Sequence, residues 1–191
     1  RDIGFPLMVK PSHEGSSIGM AKVDSAAELN KALEDARAYD SDVLVEAWVR
    51  GPEYTVAIVD GRALPSIRLK TPNAFYDFEA KYQSNSTEYL CPAGLDDADE
   101  QALRALALKA FEAVGCQGWG RVDVMRDEHG DWQLLEVNTV PGMTDHSLVP
   151  MAAKADGDDF ATLVARILLE AVDRFPPRKA NKASKGSKPR G

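Results

Sequence analysis

Residues 119–125, WGRVDVM, and residues 132–144, WQLLEVNTVPGMT, decide how this chain is read. The runs Arg121 to Arg126 and Trp132 to Asn138 alternate polar and apolar side chains, the mark of half-buried strands. Between them stands Asp127-Glu128-His129-Gly130-Asp131, a set of turn formers that can close a hairpin. Side chains two apart share a face of a strand. Arg121, Asp123 and Met125 therefore project together, as do Leu134, Glu136 and Asn138. If the two faces coincide, two carboxylates, an amide and a guanidinium converge, which is the donor set of a phosphate and divalent-metal site. The competing reading is an ordinary cross-strand ion-pair cluster on a solvated face. The Pro141-Gly142 turn directly after Asn138 favours the first.

The surrounding 191 residues are 44% hydrophobic, enough for one large domain or one and a half small ones with a buried core. No apolar run approaches the roughly 20 residues of a membrane span, and the start shows no secretory pattern. Cys91 and Cys116 have neither a CxxC spacing nor a disulfide framework, so free thiols, a reducing compartment and a cytoplasmic location are expected. His13, His129 and His146 are scattered and carry no assignment, and no zinc site is visible. Residues 178–191 hold six of the 23 basic residues and none of the 30 acidic ones, so the rest of the chain is more acidic than the net charge of −7 indicates. That tail lacks large apolar residues and is expected to be disordered. It also lacks aromatic residues on which bases could stack, so no nucleic-acid partner is expected.

Working outward, Leu7 to Lys10 reads as a strand, and Ile18 to Val23 as its hairpin partner. Ser25-Ala26-Ala27-Glu28 has the pattern of a capping box opening a helix that runs to about Ala38. Val43 to Trp48 is a short strand. Glu53 to Val59 and Ala63 to Leu69 flank Asp60-Gly61-Arg62, where Asp-Gly marks a tight hairpin. Lys70 to Leu95 has no sustained period and reads as one long loop. Asp96 to Val114 is a helix with Leu103, Leu106, Ala107, Ala110, Phe111 and Val114 on one stripe, and Phe160 to Phe175 is another. The class is α+β, with largely antiparallel sheets flanked by helices.

Two further segments carry chemistry. Lys10 to Gly19, KPSHEGSSIG, has glycines that let backbone N–H groups approach an anion and a lysine that adds charge, although it is not a Walker A loop and a solvated hairpin turn would look similar. Glu46-Ala47-Trp48-Val49 ends a strand and can offer backbone groups to an adenine edge, with Glu53 nearby for ribose hydroxyls. A plain strand-turn-strand connection is the alternative.

Together the segments VKPSHEGSSIGM, VEAWVRGPEYTVAI, FYDFEAKY, CPAGL, GWGRVDVM and LLEVNTVPGMTDHSLVPMAA, in this order, resemble the D-alanine–D-alanine ligases of the ATP-grasp superfamily from Gly4 to about Ala171. The resemblance implies a partial central ATP-grasp subdomain in residues 1–47, a C-terminal subdomain with the nucleotide, metal and substrate site in 48–177, and the tail in 178–191. It implies a ligase that phosphorylates the carboxylate of one D-alanine with ATP and lets a second D-alanine displace the phosphate, for peptidoglycan precursor synthesis. Lys10, Glu46, Ala47, Trp48, Val49, Glu53, Phe75, Lys81, Met125 and Leu135 would contact the nucleotide. Asp123, Glu136 and Asn138 would hold two Mg²⁺ ions, with Mn²⁺ able to replace them. Arg121 and the Gly142 N–H would stabilise the oxyanion, Lys81 the transferred phosphate, and Ser147 and Leu148 would receive the second substrate's carboxylate. Tyr82 corresponds to the family's tyrosine that bonds the serine at Ser16 over the reacting atoms, and it favours D-alanine as the second substrate.

The chain begins at Arg1 and lacks a hundred or more residues found in family members, so it is expected to be a piece of a longer protein that cannot turn over alone. The missing part supplies a glutamate for the first D-alanine and a second ATP lysine. A homodimer of the full-length protein is left open by the resemblance. Two alternatives accompany it: a truncated nucleotide-binding module without ligase activity, and an ATP-grasp ligase for another acid and amine.

Overall fold

The computed structural model describes residues 3–15, 17–70 and 87–175. Ser16, Phe75, Lys81, Tyr82 and the 178–191 tail lie outside the described residues. Strands β1 (Leu7–Pro11), β2 (Ala21–Val23) and β3 (Val43–Ala47) form an antiparallel sheet in the order β2-β1-β3. Helix α1 (Ala26–Arg37) covers one face. Leu7, Val9 and Val23 pack there against Ala32 and Ala36, while the alternate residues Met8, Lys10, Leu44 and Glu46 look into a cleft. Ser25 is the N-cap of α1, but its hydroxyl makes no cap bond. The expected capping box is displaced by one residue, because the Glu28 carboxylate accepts the N–H of Asp24 at 2.9 Å.

The second sheet is built on β4 (Glu53–Val59), with the order β7-β6-β4-β8-β9 and β5 (Arg62–Ala63) also paired to β4. Strand β4 is apolar from Val56 to Val59, and both of its faces are covered there. Tyr54, Val56 and Ile58 point to α2 (Asp97–Ala113), where they meet Leu103, Ala107 and Phe111. Ala57 and Val59 point the other way, to Val149, Ala152 and Ala153 of α3 (Leu148–Ala155) and Leu163 of α4 (Phe160–Arg174). Val114, expected on the buried stripe of α2, is instead 63% exposed, since the helix has ended at Ala113 and Gly115 turns away with φ +75°.

The α+β class and the antiparallel sheets agree with the sequence. Asp60 and Gly61, at φ +53° and +68°, are the two central residues of the tight turn between Val59 and Arg62. The strand expected from Ala63 to Leu69 is broken, however. Pro65 has no N–H for a ladder, so pairing with β4 stops after Ala63 and resumes in β6 (Ile67–Lys70). The stretch expected as one loop to Leu95 contains β7 (Glu88–Leu90), paired with β6.

The two sheets are joined through Gly51. Its α-carbon lies so close to β8 (Trp119–Arg126) that a β-carbon would stand 1.8 Å from the Arg126 carbonyl oxygen, and the Arg126 N–H bonds the Pro52 carbonyl at 3.0 Å. Gly51→Ala should therefore cost about 1–3 kcal/mol through overpacking, read by urea denaturation. Gly61→Ala, with open space around it, should lose about 1 kcal/mol from the backbone alone. Equal losses in the two variants would contradict the close approach.

Candidate functional site

Between the two sheets lies a cleft of about 600 Å³, a volume suited to a nucleotide-sized ligand. Its wall on the first sheet carries Lys10 and Glu46, whose side chains pair at 2.6 Å. They sit on neighbouring strands, with Lys10 opposite Leu44 and Met8 opposite Glu46, so the pair is diagonal on one face. Ser12, Glu14, Ser17 and Met20 of the loop after β1 form one rim.

Ala47, Trp48 and Val49 form the back of the cleft. The N–H of Trp48 is bonded to the Pro6 carbonyl at 3.0 Å, so an N–H offered to a ligand from this segment has to come from another residue. Glu53, first in β4, lies between Leu69 of β6 and Met125 of β8. Met125 and Leu135 provide apolar floor beside it.

The opposite wall is the ladder of β8 with β9 (Trp132–Asn138), which pairs Arg121 with Asn138 and Asp123 with Glu136. The register then slips by one: Val124 faces Leu134, leaving Leu135 as the extra residue. The face expected to hold Leu134, Glu136 and Asn138 is thereby corrected. Leu134 is 48% exposed and away from the cleft, whereas Leu135 joins Glu136 in lining it.

Asp123 is 6% exposed. The Arg121 guanidinium grips it with two hydrogen bonds, Nε to Oδ1 at 2.8 Å and a terminal nitrogen to Oδ2 at 2.7 Å. The Thr55 hydroxyl donates a third to Oδ1 at 2.6 Å. Burial by itself would push the Asp123 carboxyl up, but Arg121, then Thr55 and a hydrogen bond with Glu136, hold it below the usual carboxylate range. Asn138 uses its amide oxygen to accept the Val140 N–H at 3.2 Å. Among the described residues no three His, Cys, Asp or Glu side chains form a metal-holding group. The donor set is two carboxylates and an amide.

The turn after β9 brings Gly142 against Ser147, where a β-carbon would stand 3.0 Å from the serine hydroxyl. That hydroxyl accepts the Thr144 N–H at 3.0 Å, and Ser147 caps α3 with Leu148 as its first residue. Arg121, Asn138, Gly142, Ser147 and Leu148 do not themselves line the cleft. Sequence reasoning missed Thr55, whose relation to Asp123 follows only from the antiparallel pairing of β4 with β8, and the end of β6, where Arg68, Leu69 and Lys70 line the cleft.

Comparisons place this geometry among known proteins. The D-alanine–D-alanine ligase of Alcanivorax borkumensis is 74% identical over 173 residues, and that of Pseudomonas putida 61% identical over 171. They match 91% and 90% of this chain but 56% and 54% of their own lengths, so the chain spans about half of these relatives. Among solved structures, the VanG D-Ala:D-Ser ligase from Enterococcus faecalis aligns with a TM-score of 0.79 at 31% identity, covering 87% of this chain and 50% of that one. The D-alanine–D-alanine ligase from Bacillus anthracis complexed with ATP aligns at 0.77 and 32%, covering 90% and 54%. The fold is thus that of the ATP-grasp ligases. Residues 1–169 match the family described as D-ala D-ala ligase C-terminus, and the chain belongs to that family.

Proposed function

We propose that this chain is the nucleotide- and metal-binding half of an ATP-dependent D-alanine–D-alanine ligase, the part that activates one D-alanine as an acyl phosphate for attack by the amine of the second. The observation that carries this reading is that Asp123, gripped by Arg121, and Glu136 stand together on one wall of a cleft whose other wall presents Lys10 and Glu46. D-Alanine is the acceptor because the relatives at 61% identity and above are D-alanine–D-alanine ligases, while the D-Ala:D-Ser ligase stands at 31%. Use of ATP and the two free thiols, Cys91 and Cys116, accord with a cytoplasmic location. No helix of the described residues is long and apolar enough to cross a membrane.

Adenine would lie against Met125 and Leu135 with Glu46 and the Ala47–Val49 backbone at its edge, and the ribose beside Glu53. Lys10 sets a cation at the phosphate end. Asp123 and Glu136 face each other across the ladder, an arrangement that favours a cation between them. Mg²⁺ fits this set, since it is commonly held by one or two carboxylates and completed by phosphate oxygens and water. Asp123, Glu136 and Asn138 would hold it, and bound there it would offset the charge of the phosphates during transfer. Arg121 has two tasks on this reading. It keeps Asp123 ionised and oriented, and with the Gly142 N–H it offers donors to the oxyanion of the tetrahedral intermediate. Ser147 and Leu148 open α3, a helix N-terminus whose partial positive charge suits a substrate carboxylate. Ser16, Lys81, Tyr82 and Phe75 complete the proposed set.

Titration of the 191-residue chain with Mg·ATP tests the nucleotide site. Binding should be measurable by calorimetry, and Glu136→Ala should weaken it by about 10- to 100-fold or more. Undiminished binding in that variant would contradict the metal assignment. Arg121→Ala should also lower stability at pH 7 by about 3–5 kcal/mol in urea, because it leaves the buried Asp123 carboxylate without its charge partner. Arg121→Lys keeps the charge but not the two-pronged grip and should fall between.

A further inference from the structure

The loop after β1 is not a free turn at the cleft rim, because it is tied to the end of α1. Helix α1 closes with the Ala38 N–H on the Glu34 carbonyl, and the N–H groups of Tyr39 and Asp40 both bond the Ala36 carbonyl, at 3.1 and 3.2 Å. The turn that follows is therefore held by backbone hydrogen bonds. From it, one Asp40 carboxylate oxygen receives the His13 backbone N–H at 2.7 Å and lies 2.8 Å from the His13 ring Nδ1. The other carboxylate oxygen accepts the Asp42 N–H at 3.1 Å. The Asp42 carbonyl in turn accepts the Ser12 N–H at 2.9 Å. At the far side of the loop, Gly19 has φ +69° and would place a β-carbon 2.7 Å from the Tyr39 ring. The Asp40 side chain is 10% exposed and that of His13 73% exposed, so a largely covered carboxylate holds an otherwise solvated segment.

We propose that Asp40 is a positioning residue for nucleotide binding: by gripping His13 it fixes residues 12–15 at the rim, where Ser12 and Glu14 line the cleft. The inference rests on the nucleotide reading given above. Asp40 does not touch the nucleotide and acts through His13.

The tie is pH-dependent. The hydrogen bond with Asp40 and then its charge raise the His13 pKa above 6.5, with Asp42 adding in the same direction. Asp40 itself is lowered to about 2, first by the Asp42 N–H and also by His13. The groups facing the imidazole are Asp40 and Asp42 from the turn, with Glu14 next to it in the loop. A raised pKa means that the charged grip is complete below the ordinary histidine value and is lost as pH rises through the higher folded value. The backbone N–H bond to Asp40 does not depend on the imidazole charge, so the loop loosens on the alkaline side without being released.

Positioning and bulk charge predict opposite signs for one substitution. Removing an acid close to a site for a polyanion should tighten binding if only long-range charge matters. Asp40→Asn removes the charge opposite the imidazole and turns one of two accepting oxygens into a donor, so His13 and the Asp42 N–H cannot both be served. On the positioning account it weakens Mg·ATP binding by about tenfold, the effect of losing one or two hydrogen bonds to a charged group. The experiment is calorimetric titration of the 191-residue chain with Mg·ATP at pH 6.0 and 8.5, for the wild type, Asp40→Asn and His13→Arg. The imidazole pKa of His13 is followed by NMR without nucleotide. Expected are several-fold weaker wild-type binding at pH 8.5, weaker binding by Asp40→Asn at pH 6.0 with its His13 pKa lowered, and binding by His13→Arg that is tight at both pH values. Unchanged or tighter binding by Asp40→Asn, or a wild-type pH dependence that persists in His13→Arg, overturns the positioning role while leaving the nucleotide site standing. A wild-type chain that does not bind Mg·ATP overturns the nucleotide reading and this inference with it.

Discussion

A carboxylate taken out of water in the middle of a sheet has to be answered by its immediate neighbours, and Asp123 is the group around which this molecule is arranged. Arg121 reaches it along its own strand, Thr55 reaches it from β4, and Glu136 stands opposite on β9. Three strands must therefore be in one register before the charge is tolerated. A slip of one residue in either neighbour would turn Thr55 or Glu136 to the wrong face and leave the buried charge with fewer partners. The same register puts Glu53 beside Met125 and closes the cleft floor. The site and the sheet are specified together.

The strand pair that supplies Asp123 and Glu136 was legible because its alternation is strong and its connection is rich in turn formers. What the pattern could not carry was the register slip after Asp123, since an extra residue in one strand leaves the alternation of the other untouched. Strict alternation therefore puts Leu134 on the cleft face, where the structure has Leu135. The break at Pro65 has a visible cause, but the resumption of pairing at Ile67 depends on β4 and not on the local sequence. Helix α3 escaped because it is eight residues long with Pro150 in its first turn, too short for a 3.6-residue period to stand out. The Lys10 and Glu46 pair was legible as two candidates but not as a contact, because the order β2-β1-β3 is a long-range fact. Thr55 gave no signal of its own.

Anchoring at the two sides of the cleft follows different chemistry. The wall of β8 and β9 is held by backbone ladders and by a covered ion pair, with little freedom in either. The rim after β1 is held by the Asp40 side chain reaching from the end of α1, by the Ser12 N–H on the Asp42 carbonyl, and by the fit of Gly19 on Tyr39. The rigid wall carries the groups whose spacing governs phosphate chemistry. The rim carries Ser12 and Glu14, which line the cleft from its other side.

The central strand β4 is covered on one face by α2 and on the other by α3 and α4, all of which come later in the chain, and Thr55 is separated from Asp123 by 68 residues. During synthesis the ribosome delivers β4 first and its lasting neighbours much later. At roughly 5–20 residues per second the strand waits on the order of 3–14 s for β8. In that interval only the short pairings with β5 and β6, and later α2 on one face, can shield it, and the stretch from Val56 to Val59 is an apolar segment ready to pair with other chains. The two-sided burial that makes β4 the mature sheet's anchor thus makes it the nascent chain's point of exposure to misassembly.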